Sequence, residues 1–147
     1  MKIKTYIILI IASLLLFPKA NFCQDNSDST KFQWFADAKL GIFIHWGIYS
    51  VNGIDESWSF YNGLISYEDY MKQLSGFNAE NYNPKEWANL IKESGAKYAV
   101  ITSKHHDGVA LWDSKFSDLN VVKKTPAKRD LLKPFVKALR KENRYLL

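Results

Sequence analysis

Two short runs of apolar residues in this chain are each followed closely by histidine. The first covers residues 42–45 and ends in HWG, and the second covers residues 98–102 and leads into KHHDG. Continuous apolar runs that are rich in β-branched residues are typical of strands buried on both faces. The pattern therefore predicts two buried strands, with the protein's three histidines at or just after their ends.

Helical patterns alternate with these strands. Between Asn83 and Gly95 apolar side chains recur at helical spacing, with Asn83 as the predicted N-cap and Gly95 as the predicted left-handed stop. Residues 131–141 show the same spacing, with apolar side chains on one face and basic side chains on the other. The remaining predicted elements are two shorter helices, at 32–38 and 66–74, and two long loops, at 46–65 and 105–120.

The order of strand, loop, helix and strand predicts an α/β fold with a parallel sheet. Two buried strands cannot form a sheet that stands alone, and a (β/α)8 barrel is one arrangement that would complete it. The active sites of such barrels lie at the carboxyl ends of the strands, in the loops that follow them. His45, His105 and His106 occupy these positions, which predicts that the strands deliver polar groups to a common rim.

The residues at this predicted rim suit a polar ligand. His45 would hydrogen-bond a substrate hydroxyl, unless it is a core histidine bonded to a backbone carbonyl. In the following loop, GIDESWSF places Glu56 near Trp58, a carboxylate and an indole face that suit a sugar, although a solvated loop glutamate is the alternative. His105 and His106 are adjacent, so they meet one ligand only where the backbone bends, which the glycine of KHHDG favours.

A metal site at the paired histidines is the competing interpretation, because histidines at strand ends can bind zinc. The HEXXH spacing is absent, adjacent histidines rarely chelate one ion, and Cys23 is the only cysteine. We therefore expect that the protein requires no metal and no cofactor, with a metal-dependent barrel hydrolase as the alternative class.

The N-terminal residues have the pattern of an export signal. Lys2 and Lys4 precede an apolar run at residues 6–17, and a proline with small or polar residues follows. This run is shorter than the roughly 20 apolar residues of a membrane span, so residues 1–23 are predicted to be a secretory signal peptide, with a membrane anchor as the alternative. The polar residues 24–30 are predicted to be a disordered leader, and the protein is expected in the periplasm or outside the cell.

Composition changes this picture only slightly. The formal net charge of +5 comes largely from residues 121–144, where the basic side chains form the solvated face of the predicted helix, so nucleic-acid binding is not expected. The five tryptophans all lie after residue 30, and such flat apolar faces occur both in large cores and in carbohydrate sites. The single cysteine excludes an internal disulfide.

Several longer motifs resemble one enzyme family. The similarity covers nearly all of residues 31–141 and rests on these stretches: WFADAKLGIFIHWGIYSV, ESWSFYN, NPKEWANLIKESGAKYAVITSKHHDGVALWDSKFSDLNV and AKRDLLKPFVKALRK. They resemble the N-terminal part of the α-L-fucosidases of glycoside hydrolase family 29. There are two departures. Ser57 separates Glu56 from Trp58, where family members often read Glu-Trp directly, and Val109 stands where phenylalanine is common.

The resemblance implies a (β/α)8-like catalytic domain, usually followed by a β-sandwich, and retaining hydrolysis of terminal α-L-fucosyl residues of glycans. In such enzymes an aspartate nucleophile forms a fucosyl-enzyme intermediate, and a second acid protonates the leaving group. The substrate implied is a fucosylated glycan or glycoside. The side chains that the resemblance assigns to the fucose hydroxyls are His45, Glu56, His105 and His106, with Trp58 as a stacking face.

The length of the chain sets a further expectation. A (β/α)8 barrel takes about 250 residues, whereas this chain of 147 residues contains about two βα units, and ENRYLL ends where the next strand should begin. In the family the nucleophile lies later, so no catalytic carboxylate is predicted here, and Asp107 and Asp113 belong to other motifs. We therefore expect residues 31–147 to be an N-terminal fragment of the catalytic barrel, inactive by itself. A non-catalytic fucose-binding remnant is the alternative, and the oligomeric state is left open.

Overall fold

The structure, a computed structural model, describes residues 31–147. The chain divides into two compact units, Met1–Trp34 and Phe35–Leu147. Only residues 31–34 of the first unit are described, so the predicted signal peptide and leader lie outside the described residues. The elements that position the candidate site all belong to the second unit.

Three strands form one parallel sheet in the order β1-β2-β3. They are β1 at Gly41–Ile44, β2 at Tyr98–Ile101 and β3 at Tyr145–Leu146. The first two are the predicted strands, each ending one residue earlier than expected, whereas the third, within ENRYLL, was not predicted. The predicted α/β fold with a parallel sheet is therefore confirmed.

Within residues 31–147, six α-helices accompany these strands. They are α1 at Gln33–Ala38, α2 at Trp58–Tyr61, α3 at Tyr67–Met71, α4 at Pro84–Glu93, α5 at Val121–Lys124 and α6 at Leu132–Lys141, with 3-10 turns at Ile48–Ser50 and Lys72–Gly76. The caps predicted for α4 are present. The Asn83 side chain accepts hydrogen bonds from the backbone N–H groups of Lys85 and Glu86, and Gly95 has a φ of +82°.

Two short helices differ from the sequence prediction. Helix α2 lies in the segment 46–65, which was predicted to be a loop throughout, and α5 was not predicted. Each has only four residues, too few for a hydrophobic period to show. Helix α5 begins where the Asn120 side chain accepts hydrogen bonds from the N–H groups of Val122 and Lys123, so a local cap rather than a long apolar stripe fixes it.

The hydrophobic core lies on one face of the sheet. Ile44 of β1 and Ile101 of β2 are partners in the register, and both pack in the cluster that holds the buried residues of α4 and α6. On α6, Phe135 and Leu139 are fully buried, while the basic side chains of the same helix are exposed, as its amphipathic pattern predicted. On the other face of the sheet, Phe43 is 65% exposed, so β1 is not buried on both faces as its continuous apolar run predicted. No helix among residues 31–147 is long and apolar enough to cross a bilayer.

Candidate functional site

Histidines from two neighbouring strand ends meet at one edge of the sheet. His45 directly follows β1 and His105 lies four residues after β2, and the two strands are parallel, so both residues lie at the same edge. Their ring centroids are 4.9 Å apart, with the rings nearly perpendicular at 87°. The Tyr49 ring lies 5.1 Å from that of His45 and 5.7 Å from that of His105. The three rings form a compact group at the carboxyl end of the sheet.

Trp46 fixes the backbone from which His45 projects. Its indole packs against the rings of Phe77, Tyr82 and Trp87 at centroid distances of 5.3, 5.2 and 5.2 Å. The Trp46 backbone N–H donates to the hydroxyl oxygen of Thr102, and that hydroxyl donates back to the Trp46 carbonyl, both at 3.0 Å. Thus the tryptophan of HWG holds the loop in the core while the histidine stays exposed. The exposure of His45 excludes the alternative that it is a core histidine.

Glu56 reaches the histidines from the first long loop. One ligand atom each from His45, Glu56 and His105 lie within 4.8 Å of one another. The Glu56 carboxylate also accepts hydrogen bonds at Oε2 from the Trp58 backbone N–H at 3.0 Å and from the Ser57 hydroxyl at 3.2 Å. Because these contacts hold the carboxylate at the start of α2, Glu56 is a positioned residue and not a solvated loop glutamate.

A tight turn brings the adjacent histidines together. The Gly108 N–H donates to the His105 carbonyl at 3.0 Å, and Gly108 has a φ of +87°, a conformation that favours glycine. The rings of His105 and His106 lie 5.0 Å apart at 83°. Both line a cleft of about 350 Å³ together with Ser57, Trp58, Phe60 and Tyr61. The bend that the sequence required for a shared ligand is therefore present.

The aromatic wall of this cleft includes a residue that the sequence did not single out. Trp58 is 56% exposed, and its ring lies 5.2 Å from that of Tyr61 in an edge-to-face arrangement. Tyr61 is 76% exposed. Both rings present apolar area next to the paired histidines, so a ligand in the cleft has hydrogen-bonding groups on one side and aromatic faces on the other. There was little reason in the sequence to select Tyr61, because it belongs to helix α2, which was not predicted.

Asp107 stabilises the turn through buried hydrogen bonds, a role that the sequence analysis did not predict. Its side chain is 3% exposed and accepts hydrogen bonds from the Tyr70 hydroxyl and from the Val109 N–H, both at 2.9 Å. Burial, and then the charge of Asp107, raises the pKa of Tyr70 far above its ordinary range. The signal available in the sequence was the Asp-Gly pair, since an aspartate commonly accepts a hydrogen bond from the backbone two residues on.

The surroundings of His105 favour its neutral form. Burial is the main cause of a pKa below the ordinary value, and the nearby Glu56 carboxylate opposes that shift without reversing it. The Nδ1 atom of His105 is buried and has no hydrogen-bond partner among residues 31–147. A neutral imidazole offers one N–H donor and one lone pair, so His105 can both donate to and accept from a ligand.

Acid should destabilise the fold through His105. In the folded chain the pKa of His105 lies below the unfolded value of about 6.5. Its contribution to the free energy of unfolding is therefore complete above that pH, and it is lost as the pH falls through the lowered folded pKa. We expect Tm to fall less between about pH 7.5 and about pH 5.5 in His105→Gln than in the wild type. Thermal melts followed by circular dichroism measure this. Above about pH 7.5 the two proteins should respond alike, and equal slopes in acid would contradict a lowered pKa of the half-buried His105.

The structure corrects one premise of the argument against a metal. The sequence offered only two adjacent histidines as ligands, whereas the fold gathers His45, Glu56 and His105 from three separate segments. His106 is not part of that group. That activity requires no metal stays a prediction, which a chelator added to a full-length family enzyme carrying these residues would check.

The sequence matches the alpha-L-fucosidase family over residues 19–146. It is 37% identical over 123 residues to the plasma alpha-L-fucosidase of Homo sapiens, covering 73% of this chain and 26% of that relative. The structure resembles the Thermotoga maritima alpha-fucosidase in complex with fucose, with a TM-score of 0.66 and 38% identity, covering 78% of this chain and 32% of that one. It also resembles the GH29 alpha-L-fucosidase of Bacteroides thetaiotaomicron, solved as a trapped covalent intermediate, with a TM-score of 0.72 and 35% identity, covering 80% of this chain and 29% of that one.

These similarities agree with one another. The family match extends over almost the whole described part of the chain, and both solved relatives share its arrangement of strands and helices. The chain spans between 26% and 32% of the length of these relatives. On the strength of its sequence and its fold, this chain belongs to the alpha-L-fucosidase family, glycoside hydrolase family 29.

Proposed function

We propose that this chain forms the fucose-binding rim of an exported α-L-fucosidase, which removes terminal α-L-fucosyl residues from glycans with retention of configuration. One observation carries the proposal: ligand atoms of His45, Glu56 and His105 lie within 4.8 Å of one another at the carboxyl edge of a parallel sheet. A cleft walled by Trp58 and Tyr61 adjoins them. The family relationship supports the same class of substrate.

The cleft and the group of His45, Glu56 and His105 beside it together match the two kinds of surface on L-fucose. This pyranose carries ring hydroxyl groups and a methyl group in place of a hydroxymethyl. The imidazoles and the Glu56 carboxylate hydrogen-bond the hydroxyls, while the rings of Trp58 and Tyr61 contact the C–H face and the methyl group. Support comes from the Thermotoga maritima relative, whose structure contains fucose.

Retaining hydrolysis needs two carboxyl groups about 5 Å apart on opposite sides of the scissile bond. Among the described residues, Glu56 is the carboxylate in the histidine group, and Asp107 is buried against Tyr70. We therefore assign the nucleophile and the acid to the part of the family's catalytic domain that this chain does not span. The covalent intermediate trapped in the Bacteroides thetaiotaomicron relative supports this mechanism.

A full-length enzyme carrying this rim should first release α-L-fucose, as followed by proton NMR; release of the β-anomer would contradict retention.

The same proposal places the three-stranded sheet in a (β/α)8-like barrel and the protein outside the cytoplasm. The barrel is supported by the parallel order of β1, β2 and β3, with the histidines at their carboxyl edge. Export is supported by the signal-peptide pattern of residues 1–23. N-terminal sequencing of the chain recovered from the periplasm or medium of its host would show the cleaved start, and recovery of the uncleaved chain from the cytoplasm would contradict export.

Sugar binding can be tested directly because the chain contains only three histidines. In a sample labelled with carbon-13 on histidine, L-fucose should shift the imidazole signals of His45, His105 and His106. D-Fucose, the mirror image with the same functional groups, should shift them far less. Glu56→Gln should weaken L-fucose binding about tenfold, because a hydrogen bond to a charged group contributes about 1.5–3 kcal/mol.

The matched control is Glu86→Gln, which removes an exposed carboxylate from α4. It should leave the response to L-fucose unchanged. Equal shifts with the two enantiomers, or an unchanged affinity in Glu56→Gln, would contradict the assignment of this rim to fucose.

A further inference from the structure

The histidine group has the composition of a transition-metal site. His45, Glu56 and His105 contribute two imidazoles and one carboxylate from three separate segments of the chain. Ions such as Zn²⁺ and Cu²⁺ prefer imidazole nitrogen together with carboxylate oxygen, whereas Mg²⁺ and Ca²⁺ prefer oxygen alone. The ligand types at this edge of the sheet therefore favour the first group of ions.

The spacing is close to that of a bound ion. Around a tetrahedral zinc with bonds of about 2.1 Å, neighbouring ligand atoms lie about 3.4 Å apart. Ligand atoms of His45, Glu56 and His105 already lie within 4.8 Å of one another. The His45 side chain is exposed, so its rotation is the adjustment that ion binding would use.

Contacts outside the group hold its members in place. Glu56 is held through Oε2 by the N–H of Trp58, and the backbone next to His45 is tied to Thr102. His105 lies in the turn closed by Gly108, and its Nδ1 is a buried polar atom with no partner among residues 31–147. Such support orients ligands before an ion arrives.

We propose that His45, Glu56 and His105 bind one divalent transition-metal ion of the zinc class. His106 lies outside this set, although it neighbours His105 in the sequence. The same three residues are assigned to fucose, so ion and sugar exclude each other, and the ion acts as an inhibitor rather than as a cofactor. This last consequence alone rests on the proposed function.

The test is a calorimetric titration of the 147-residue chain with Zn²⁺ in the absence of sugar. Every sample carries Cys23→Ser, which removes the single thiol as a competing ligand. We expect one Zn²⁺ per chain, affinity at least about tenfold weaker in Glu56→Gln and in His105→Gln, and affinity within about twofold of the parent in His106→Gln. Excess Mg²⁺ should not displace the zinc.

Glu56→Gln retains an oxygen that can accept the Trp58 N–H, so we expect the variant to fold like the parent. Far-ultraviolet circular dichroism of the two proteins checks this. Absence of zinc binding in the parent, or a loss in His106→Gln as large as that in His105→Gln, overturns the proposal. A second titration with L-fucose present tests exclusion. If zinc binds strongly and L-fucose does not weaken its binding, the metal site is supported and the assignment of these residues to fucose is contradicted.

Discussion

Asp107→Ala is expected to lower the free energy of unfolding by about 3 kcal/mol. The carboxylate is 3% exposed and accepts hydrogen bonds from the Tyr70 hydroxyl and the Val109 N–H, both at 2.9 Å. Alanine leaves both donors buried without their partner, and each such group costs about 1–3 kcal/mol. Because a small domain is stable by only about 5–15 kcal/mol, the loss is a large fraction of the total.

Two further variants separate the contacts. Tyr70→Phe removes one donor and leaves the Asp107 carboxylate with its backbone partner, so it should cost about 1–2 kcal/mol. Asp113→Ala, at an exposed aspartate in the same loop, should change stability by less than about 0.5 kcal/mol. Urea unfolding followed by tryptophan fluorescence measures all three. A cost for Asp107→Ala as small as that of Asp113→Ala would show that the buried carboxylate does not support the turn.

Local signals were enough to predict the main elements of the fold. Both longer strands appear as apolar runs, and α4 has its cap at Asn83 and its stop at Gly95 within the same short segment. Helix α6 shows its buried face through the spacing of Phe135 and Leu139. In each case the residues that specify the element lie within it or next to it, so no knowledge of distant contacts was needed.

The contacts that build the site are long-range, and the sequence pattern could not supply them. Thr102 bonds to both backbone groups of Trp46 only because β1 and β2 are paired in one register. Glu56 approaches the histidines because its carboxylate accepts the N–H of Trp58, the first residue of a four-residue helix in a segment that was predicted to be loop. For the same reason the sequence pattern could not show that Glu56 joins the two histidines, because it lies on a segment whose path was unknown.

The position of the histidines, by contrast, followed from topology alone. Parallel strands place their carboxyl ends at one edge, so His45 and His105 were expected to be neighbours once both apolar runs were taken as strands. The ring separation of 4.9 Å agrees with that expectation. Topology thus placed the histidines at one edge, whereas the distance from Glu56 depended on a contact that only the three-dimensional structure shows.

Residues 24–147, expressed without the predicted signal peptide, are expected to bind L-fucose yet release no aryl leaving group from an aryl α-L-fucoside. Retaining hydrolysis needs a nucleophile and an acid about 5 Å apart. One carboxylate oxygen of Glu56 accepts a hydrogen bond from the Trp58 N–H at the start of α2, and Asp107 is buried against Tyr70. We therefore assign neither the nucleophile nor the acid to these two carboxyls, and loss of a catalytic carboxylate lowers rates by orders of magnitude.

The assay follows the absorbance of the released aryl group, with a no-protein blank and a full-length family enzyme as the positive control. Histidine signals that respond to L-fucose in the same sample show that the rim is folded, so a zero rate then reflects missing chemistry and not a missing site. Turnover above the blank would overturn the prediction. Its loss in Asp55→Asn, Glu56→Gln or Asp107→Asn would then identify which carboxylate supplies the nucleophile, with Asp55 the exposed candidate beside Glu56.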